Sequence, residues 1–246
     1  MEEKSNKFLI PTAIVIAAGL IVWGIISTNK EPKFIEDQLV VTEREQSTTQ
    51  TTTIKPYSIR KTDYILGNPD ANLVFVNFSD FECSFCKIFH QTMHRIIDEY
   101  GKEGKVAWIF RQFPLHGVTS EKKSAAVKCA GQLGGNTKFW EMSDKIFQTE
   151  FSNEEKFVVE QLGELARGMN IDEKKFLACL DSKAILEILQ QEYQTGIDAG
   201  VLGTSNAQGG TPFTLIATKL GKTYPINGAQ PYNVIQPIID LILQGN

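Results

Sequence analysis

Residues 72–79 form a short apolar run rich in Val and Phe. After three intervening residues comes Cys83-Ser84-Phe85-Cys86, within an amphipathic stretch from about Ser84 to Tyr100. A run of that length and composition reads as a buried strand, and the stretch after it as a helix. The chain therefore passes from strand to helix through only Asp80-Phe81-Glu82. This places Cys83 at a helix N-terminus.

That position suits dithiol chemistry. The unpaired N–H groups and dipole of the first helical turn favour a thiolate there, and a lowered thiol pKa is what such motifs use. The two-residue gap lets both sulfurs come within bonding distance. At about 100° per residue, Phe85, Phe89, Met93, Ile96, Ile97 and Tyr100 form one apolar arc. Cys86 lies inside that arc and Cys83 at its edge. Cys83 is thus read as the exposed nucleophile and Cys86 as the shielded resolving thiol, with Ser84 and Phe85 tuning the redox potential.

Cys83-x2-Cys86-x3-His90-x3-His94 also offers four potential zinc ligands. One continuous helix separates Cys83 from His94 by about 16 Å, and a tetrahedral zinc needs ligands at about 2.0–2.3 Å. One ion cannot hold all four, and there is no second C-x-x-C. No metal is assigned. His90 and His94 are read as ordinary, partly exposed helix residues, with a thiolate-tuning role for His90 as the sharper alternative.

Other elements follow from the same patterns. Residues 105–113 read as a second buried strand. Residues 213–218 and 222–226 read as two strands joined by a Leu220-Gly221 turn. Residues 234–243 read as a closing helix, with Pro237 in its first turns, where proline is tolerated. The middle, about 119–200, has no strand signal and offers several helices. Ser120 is the expected cap of one running through Cys129. Residues 137–147 form another, Asn153 caps 154–167, and 172–200 supply one or two more. The order is strand, helix, strand, helical block, strand, strand, helix. This is an α/β domain with a helical insertion. A C-x-x-C beside such a pattern reads as a thioredoxin-like redox site.

The N-terminal part is different. Phe8 to Ser27 holds no charged residue. Twenty apolar residues span about 30 Å as a helix, the thickness of a bilayer core. The competing reading, a cleaved signal peptide, calls for a shorter apolar region of about 7–15 residues and an A-x-A-like site. No such site occurs between Gly24 and Lys33. Lys4 and Lys7 before the span balance Lys30 and Lys33 after it, so charge does not set the orientation. Residues 28–56, polar and Thr-rich, read as a flexible tether with a reach of about 30 Å. The expected organisation is a tail at 1–7, a single transmembrane helix at 8–27, the linker at 28–56 and the α/β domain at 57–246. A net charge of −4 argues against a nucleic-acid binder.

The chain resembles the DsbA-like family of the thioredoxin superfamily, especially its membrane-tethered BdbD-type branch. Asp80-Phe-Glu-Cys-Ser-Phe-Cys86, Arg111-Gln-Phe-Pro-Leu115, Lys138-Phe-Trp140, Gly210-Thr-Pro-Phe213 and Gly228-Ala-Gln-Pro-Tyr232 carry the resemblance, in order along the domain. It implies a thioredoxin-like fold and a cis Pro212 opposite Cys83. Such a bond makes a tight turn and leaves the backbone of Thr211 free to pair with an extended substrate. Thr211 and Pro212 are therefore expected at the substrate site. Two departures stand out. Asn77 occupies the position, six residues before the first cysteine, where thioredoxin-like folds often bury a carboxylate. It cannot relay a proton, which leaves water or another group such as Glu82. Residues 203–210 are longer and more polar than the usual approach to G-T-P, and read as a flexible loop rimming the site.

Cys129 and Cys179 both fall in the insertion. With Cys83 and Cys86 paired by spacing, 129–179 is the remaining pairing, and some family members look to carry a pair there. Two free buried thiols and an electron relay to Cys83–Cys86 are the alternatives.

The expectation is a membrane-anchored, extracytoplasmic thiol:disulfide oxidoreductase that oxidises substrate dithiols through Cys83–Cys86. No bound cofactor is needed. Its partners are extracytoplasmic proteins bearing thiols or disulfides, and the resemblance implies a DsbB-like or quinone-linked membrane reoxidant. A monomer is expected. The same site run as a reductase or isomerase, and a tethered binding or chaperone-like module with a structural C-x-x-C, are the rival readings.

Overall fold

The computed structural model describes residues 58–151, 154–204 and 207–245. The expected tail at 1–7, span at 8–27 and linker at 28–56 lie outside them. Among the described residues no helix is long and apolar enough to cross a membrane.

Strands β1 (Ile65–Gly67), β2 (Leu73–Ser79), β3 (Val106–Gln112), β6 (Phe213–Thr218) and β7 (Thr223–Asn227) form the main sheet. Their order is β1-β3-β2-β6-β7. A short separate ribbon pairs β4 (Gly203–Thr204) with β5 (Ala207–Gln208). Strands β2 and β3 are parallel, while β2–β6, β6–β7 and β1–β3 are antiparallel. The parallel pair requires a crossover. Helix α1 (Ser84–Ile96) supplies it and ends in a π-helical turn, Ile97–Gly101.

Among its described residues the insertion, 119–200, holds helices and no strand. Helix α2 spans Val118–Gln148 and bends at Gly135, whose φ of 77° interrupts the helical backbone. The two segments expected at 120–129 and 137–147 are thus two helical halves of α2 that meet at this break. Ser120 does not cap it. Gly117 stands at the N-cap, and Ser120 is buried inside the first turn. Helices α3 (Glu155–Gly168), α4 (Glu173–Leu180) and α5 (Lys183–Ala199) follow. The expected cap Asn153 lies outside the described residues, and Glu154 holds the N-cap of α3. Asp172 and Ser182 cap α4 and α5 by accepting from Lys175 N and Ile185 N. The β4–β5 ribbon stands where a flexible loop is expected at 203–210. Helix α6 (Tyr232–Gln244) closes the domain and contains Pro237.

Side chains alternate across each strand, and this divides the core in two. Leu73 and Phe75 of β2 join the larger cluster, with Phe89 and Met93 of α1 and Ile235 and Ile239 of α6. Val74, Val76 and Phe78 point the other way, into a smaller cluster with Phe113, Ala199 and Val201. Every residue of β2 and β3 is buried. Both strands are covered on both faces, which explains their nearly unbroken apolar sequence.

Three devices hold the insertion together and lock it to the sheet. Cys129 on α2 and Cys179 on α4 are joined by a disulfide, with a Cα–Cα distance of 5.8 Å. Gly196 lets α5 approach the sheet closely, because a Cβ there would lie 2.4 Å from the Phe113 ring. The Lys128 ammonium on α2 donates to Glu192 Oε1 on α5, with both side chains almost wholly buried. Glu192 Oε2 in turn accepts from Gln112 N at 2.8 Å.

Removing one partner of that ion pair strands a charge in the core, at a cost of about 3–5 kcal/mol. Lys128→Met is expected to lower the chemical-denaturation midpoint by a corresponding amount. The double variant Lys128→Met/Glu192→Leu should recover part of the loss.

Candidate active site

Strand β2 ends at Ser79, and the turn that follows is built around Asp80. Its carboxylate is fully buried. Oδ1 accepts from Glu82 N at 2.8 Å and from Ser120 Oγ at 2.6 Å. Oδ2 accepts from Leu115 N at 2.5 Å and from His116 N at 3.2 Å, and His116 Nδ1 lies 2.7 Å away. Asp80 O accepts from Cys83 N at 3.2 Å. One side chain thus ties the turn before the dithiol to the loop after β3 and to the start of α2.

Cys83 is the N-cap of α1, with an extended backbone (φ −83°, ψ 116°). Its carbonyl accepts from Cys86 N at 3.0 Å and from Lys87 N at 3.2 Å. The helix therefore begins on the dithiol. Both cysteines are free thiols in this structure. Cys83 is 9% exposed and Cys86 1%. Cys83 is less open than the helical wheel implies, but it is still the more accessible sulfur.

The two thiols are driven apart in acidity. A hydrogen bond from Cys86 pulls Cys83 down to about 5, with further donors from the backbone of Cys86 and Phe85, against the opposing effect of burial. Cys86 is pushed well above the ordinary thiol range, first by burial and then by its bond to Cys83. The first turn of α1 thus favours ionisation of Cys83 and keeps Cys86 neutral.

The opposite wall is the segment before β6. The Thr211–Pro212 bond is cis, and Cys83 Sγ lies 3.3 Å from Thr211 O. Asn77 is buried beside this segment. Its amide donates to Thr214 Oγ1 at 3.1 Å, so it cross-links β2 to β6. Glu82 forms an ion pair with Lys123 at 2.7 Å. A cleft of about 210 Å³ beside Cys83 is lined by Glu82, Ser84, Lys87, Lys123 and Phe151, among others.

Ser84 and Phe85 lie between the cysteines as expected, but Phe85 departs from its expected place in the apolar arc. It is 63% exposed, and Ile88, nearly one turn on, is also exposed. The buried aromatic part of the arc begins only at Phe89. His90 also differs from expectation. It is 5% exposed and packed between Trp108 and Phe147. Its Nε2 lies 2.7 Å from Asp144 Oδ1 on α2. Burial lowers its pKa, with the Asp144 bond opposing. His94 is the partly exposed one.

Asp80, His116, Ser120 and Lys123 are site residues to which the sequence pattern alone assigns no such role. The Asp-Phe-x-Cys pattern is the available signal for Asp80. The other three reach the site only through folding of the insertion and the loop before it. The Asp80 bond raises the His116 pKa, against burial, and the nearby Cys83 adds to the rise.

A thiolate-bearing dithiol on a helix N-terminus, facing a cis proline across a thioredoxin-like sheet, defines a thiol:disulfide oxidoreductase of the DsbA-like type. Comparison with known proteins agrees. A family model described as Thioredoxin matches residues 60–204. The probable disulfide bond formation protein D of Bacillus anthracis is 27% identical over 202 residues, 77% of this chain and 82% of that protein. The protein of the same name in Bacillus cereus is 27% identical over 165 residues, 65% of this chain and 66% of that one. The structure of oxidised BdbD from Bacillus subtilis superposes with a TM-score of 0.64 at 23% identity, covering 77% of this chain and 97% of that one. At that identity the likeness speaks for the fold. The chain belongs to the thioredoxin family.

Three outcomes are expected. In the reduced protein, thiolate absorbance and alkylation by iodoacetamide should report one group titrating near the depressed Cys83 value of about 5, with Cys86 unreactive in the folded state. A thiol depressed on folding stabilises the reduced protein fully above its unfolded pKa. That contribution fades as pH falls toward 5. The reduced form should therefore lose stability between about pH 8.5 and pH 5, with no matching loss in the oxidised form. Asp80→Ala should destabilise the domain by about 1–3 kcal/mol, since the buried Ser120 hydroxyl and the part-buried N–H groups of Glu82, Leu115 and His116 lose their acceptor together. Urea denaturation measures it.

Proposed function

We propose that this chain is a membrane-anchored oxidase of protein dithiols working outside the cytoplasm. The observation that carries this reading is the placement of Cys83. It caps α1, touches Thr211 O at 3.3 Å, and has Cys86 buried behind it.

In the oxidised enzyme a substrate thiolate attacks Cys83 Sγ. The Cys83–Cys86 bond breaks, and Cys86 takes the electron pair and a proton. Its burial favours the neutral thiol. A second substrate thiolate then attacks the substrate sulfur of the mixed disulfide. Cys83 leaves as a thiolate, and the substrate disulfide closes. Two electrons pass from the substrate dithiol to the enzyme, one proton stays on Cys86 and one is released. A low Cys83 pKa stabilises the reduced enzyme and makes Cys83 a good leaving group, so it drives the reaction toward oxidation of substrate.

Cys83 and Cys86 are thus the catalytic pair, with Ser84 and Phe85 tuning their potential. Thr211 and Pro212 form the wall against which an extended substrate lies. Exposed Phe85 and Ile88 at the start of α1 give an apolar landing surface beside the sulfur. Cys129–Cys179 serves as a structural staple. Closing a loop of this length contributes about 4 kcal/mol in the chain-entropy model, and such a bond suits an oxidising compartment. The apolar segment 8–27 anchors the domain, and 28–56 tethers it within reach of a membrane-embedded, quinone-linked reoxidant. Its substrates are extracytoplasmic proteins bearing thiols. The names of the Bacillus relatives, which refer to disulfide bond formation, support the same direction.

The test is the reduction potential of Cys83–Cys86, equilibrated against glutathione buffers. A value of about −120 mV marks a strong oxidant, whereas about −270 mV marks a thioredoxin-like reductant and overturns the direction proposed. Cys83→Ser should abolish dithiol oxidation. Cys86→Ser, given an oxidised substrate, should accumulate a mixed disulfide as the Cys83 thiolate attacks the substrate disulfide and releases one substrate thiolate, a species a binding module would not form.

A further inference from the structure

Two turns along α1 from the dithiol, three donor atoms converge. His90 Nε2 and His94 Nε2 lie 2.7 and 2.8 Å from Asp144 Oδ1, and 3.1 Å from each other. The histidines are one turn apart on α1, and Asp144 comes from the far half of α2. With Asp144 ionised, a hydrogen-bond triangle cannot satisfy all three contacts. If both Nε2 atoms carry protons, each donates to Asp144 and the two N–H groups collide across the 3.1 Å edge. If either lacks its proton, a nitrogen lone pair faces the carboxylate oxygen. No placement of protons on the two rings makes every edge attractive.

A cation placed on the triangle does. At metal–ligand distances of about 2.0–2.1 Å, three mutually perpendicular ligand directions put the donor atoms about 2.9 Å apart. The observed edges bracket that spacing. Two imidazoles and one carboxylate on one face, with the remaining positions open, form a known ligand set for first-row transition ions. The open side faces a cleft of about 590 Å³, which Gln91, Asp98 and Gln148 also line. The two cations on its rim are engaged elsewhere. Lys87 pairs with Glu150 at 3.6 Å, and Arg95 lies over the Tyr232 ring at 3.8 Å. The base of the site is fixed, because the His90 ring is held between Trp108 and Phe147.

We propose that His90, His94 and Asp144 form a binding site for a divalent first-row transition ion, which would pin α1 to the insertion helix α2. The site is separate from the cysteines and does not depend on the direction of the redox reaction. Zinc is the suitable probe because it is redox-inert.

The experiment uses the full chain in detergent, without a histidine tag and fully oxidised, so that no thiolate is available. Zinc affinity is read by competition with a chromophoric chelator. One equivalent is expected to bind, and zinc should raise the unfolding midpoint. Cobalt(II) should give weak visible bands without a near-ultraviolet thiolate band. His94→Ala and Asp144→Asn, both at partly exposed positions, should each weaken zinc binding at least about tenfold and abolish the midpoint shift. Failure of the oxidised protein to bind zinc overturns the proposal. So does unchanged affinity in both variants. Displacement of zinc by equimolar calcium also overturns it, because a hard ion prefers oxygen ligands to imidazole.

Discussion

The buried carboxylate of Asp80 is the junction on which the site depends. It sits where β2 ends, and its acceptor oxygens are shared among the dithiol turn, the loop after β3 and the first turn of α2. Backbone N–H groups turned partly away from water are costly unless each finds a partner. Asp80 supplies those partners from one position to segments distant in sequence. The start of α1 is thereby held at the sheet edge, and Cys83 is held against Thr211.

The acidity split of the dithiol follows from the same geometry. Cys83 stands at the N-cap, where the Cys86 thiol and the backbone N–H groups of Cys86 and Phe85 favour its charged form. Cys86 lies one turn deeper among core residues, where a charge would be unsolvated. Two identical side chains three residues apart thus acquire opposite tendencies. The helical insertion contributes Ser120 and Lys123 to the surroundings of this pair. It stays in place through the Cys129–Cys179 bond and the Lys128–Glu192–Gln112 chain.

Much of the fold is legible in the residue pattern. Strands β2, β3, β6 and β7 and helices α1 and α6 can be read because uninterrupted apolar runs and 3.6-residue periodicity are local properties. The edge strand β1 escapes such a reading, since three residues carry too little pattern. The β4–β5 ribbon is hidden by its polar composition. The two halves of helix α2 are legible as separate helices, and Gly135, with a non-helical φ of 77°, is where they part. Phe85 and His90 depart from their expected exposure for one reason. A helical wheel gives direction around an axis, but it does not say which neighbouring elements cover each side.

The sequence by itself determined the redox motif, its position at a strand–helix junction, the likeness to DsbA-like proteins and the helical character of the insertion. Each of these is written in residues close together along the chain. Tertiary structure alone decided which groups surround the sulfurs and which surround the histidines. Asp144 reaches His90 across 54 positions, and Thr211 reaches Cys83 across 128. Such contacts depend on how the strands are ordered and how the insertion folds back over α1. Those choices are made by the burial of the whole core, and no local window of sequence contains them.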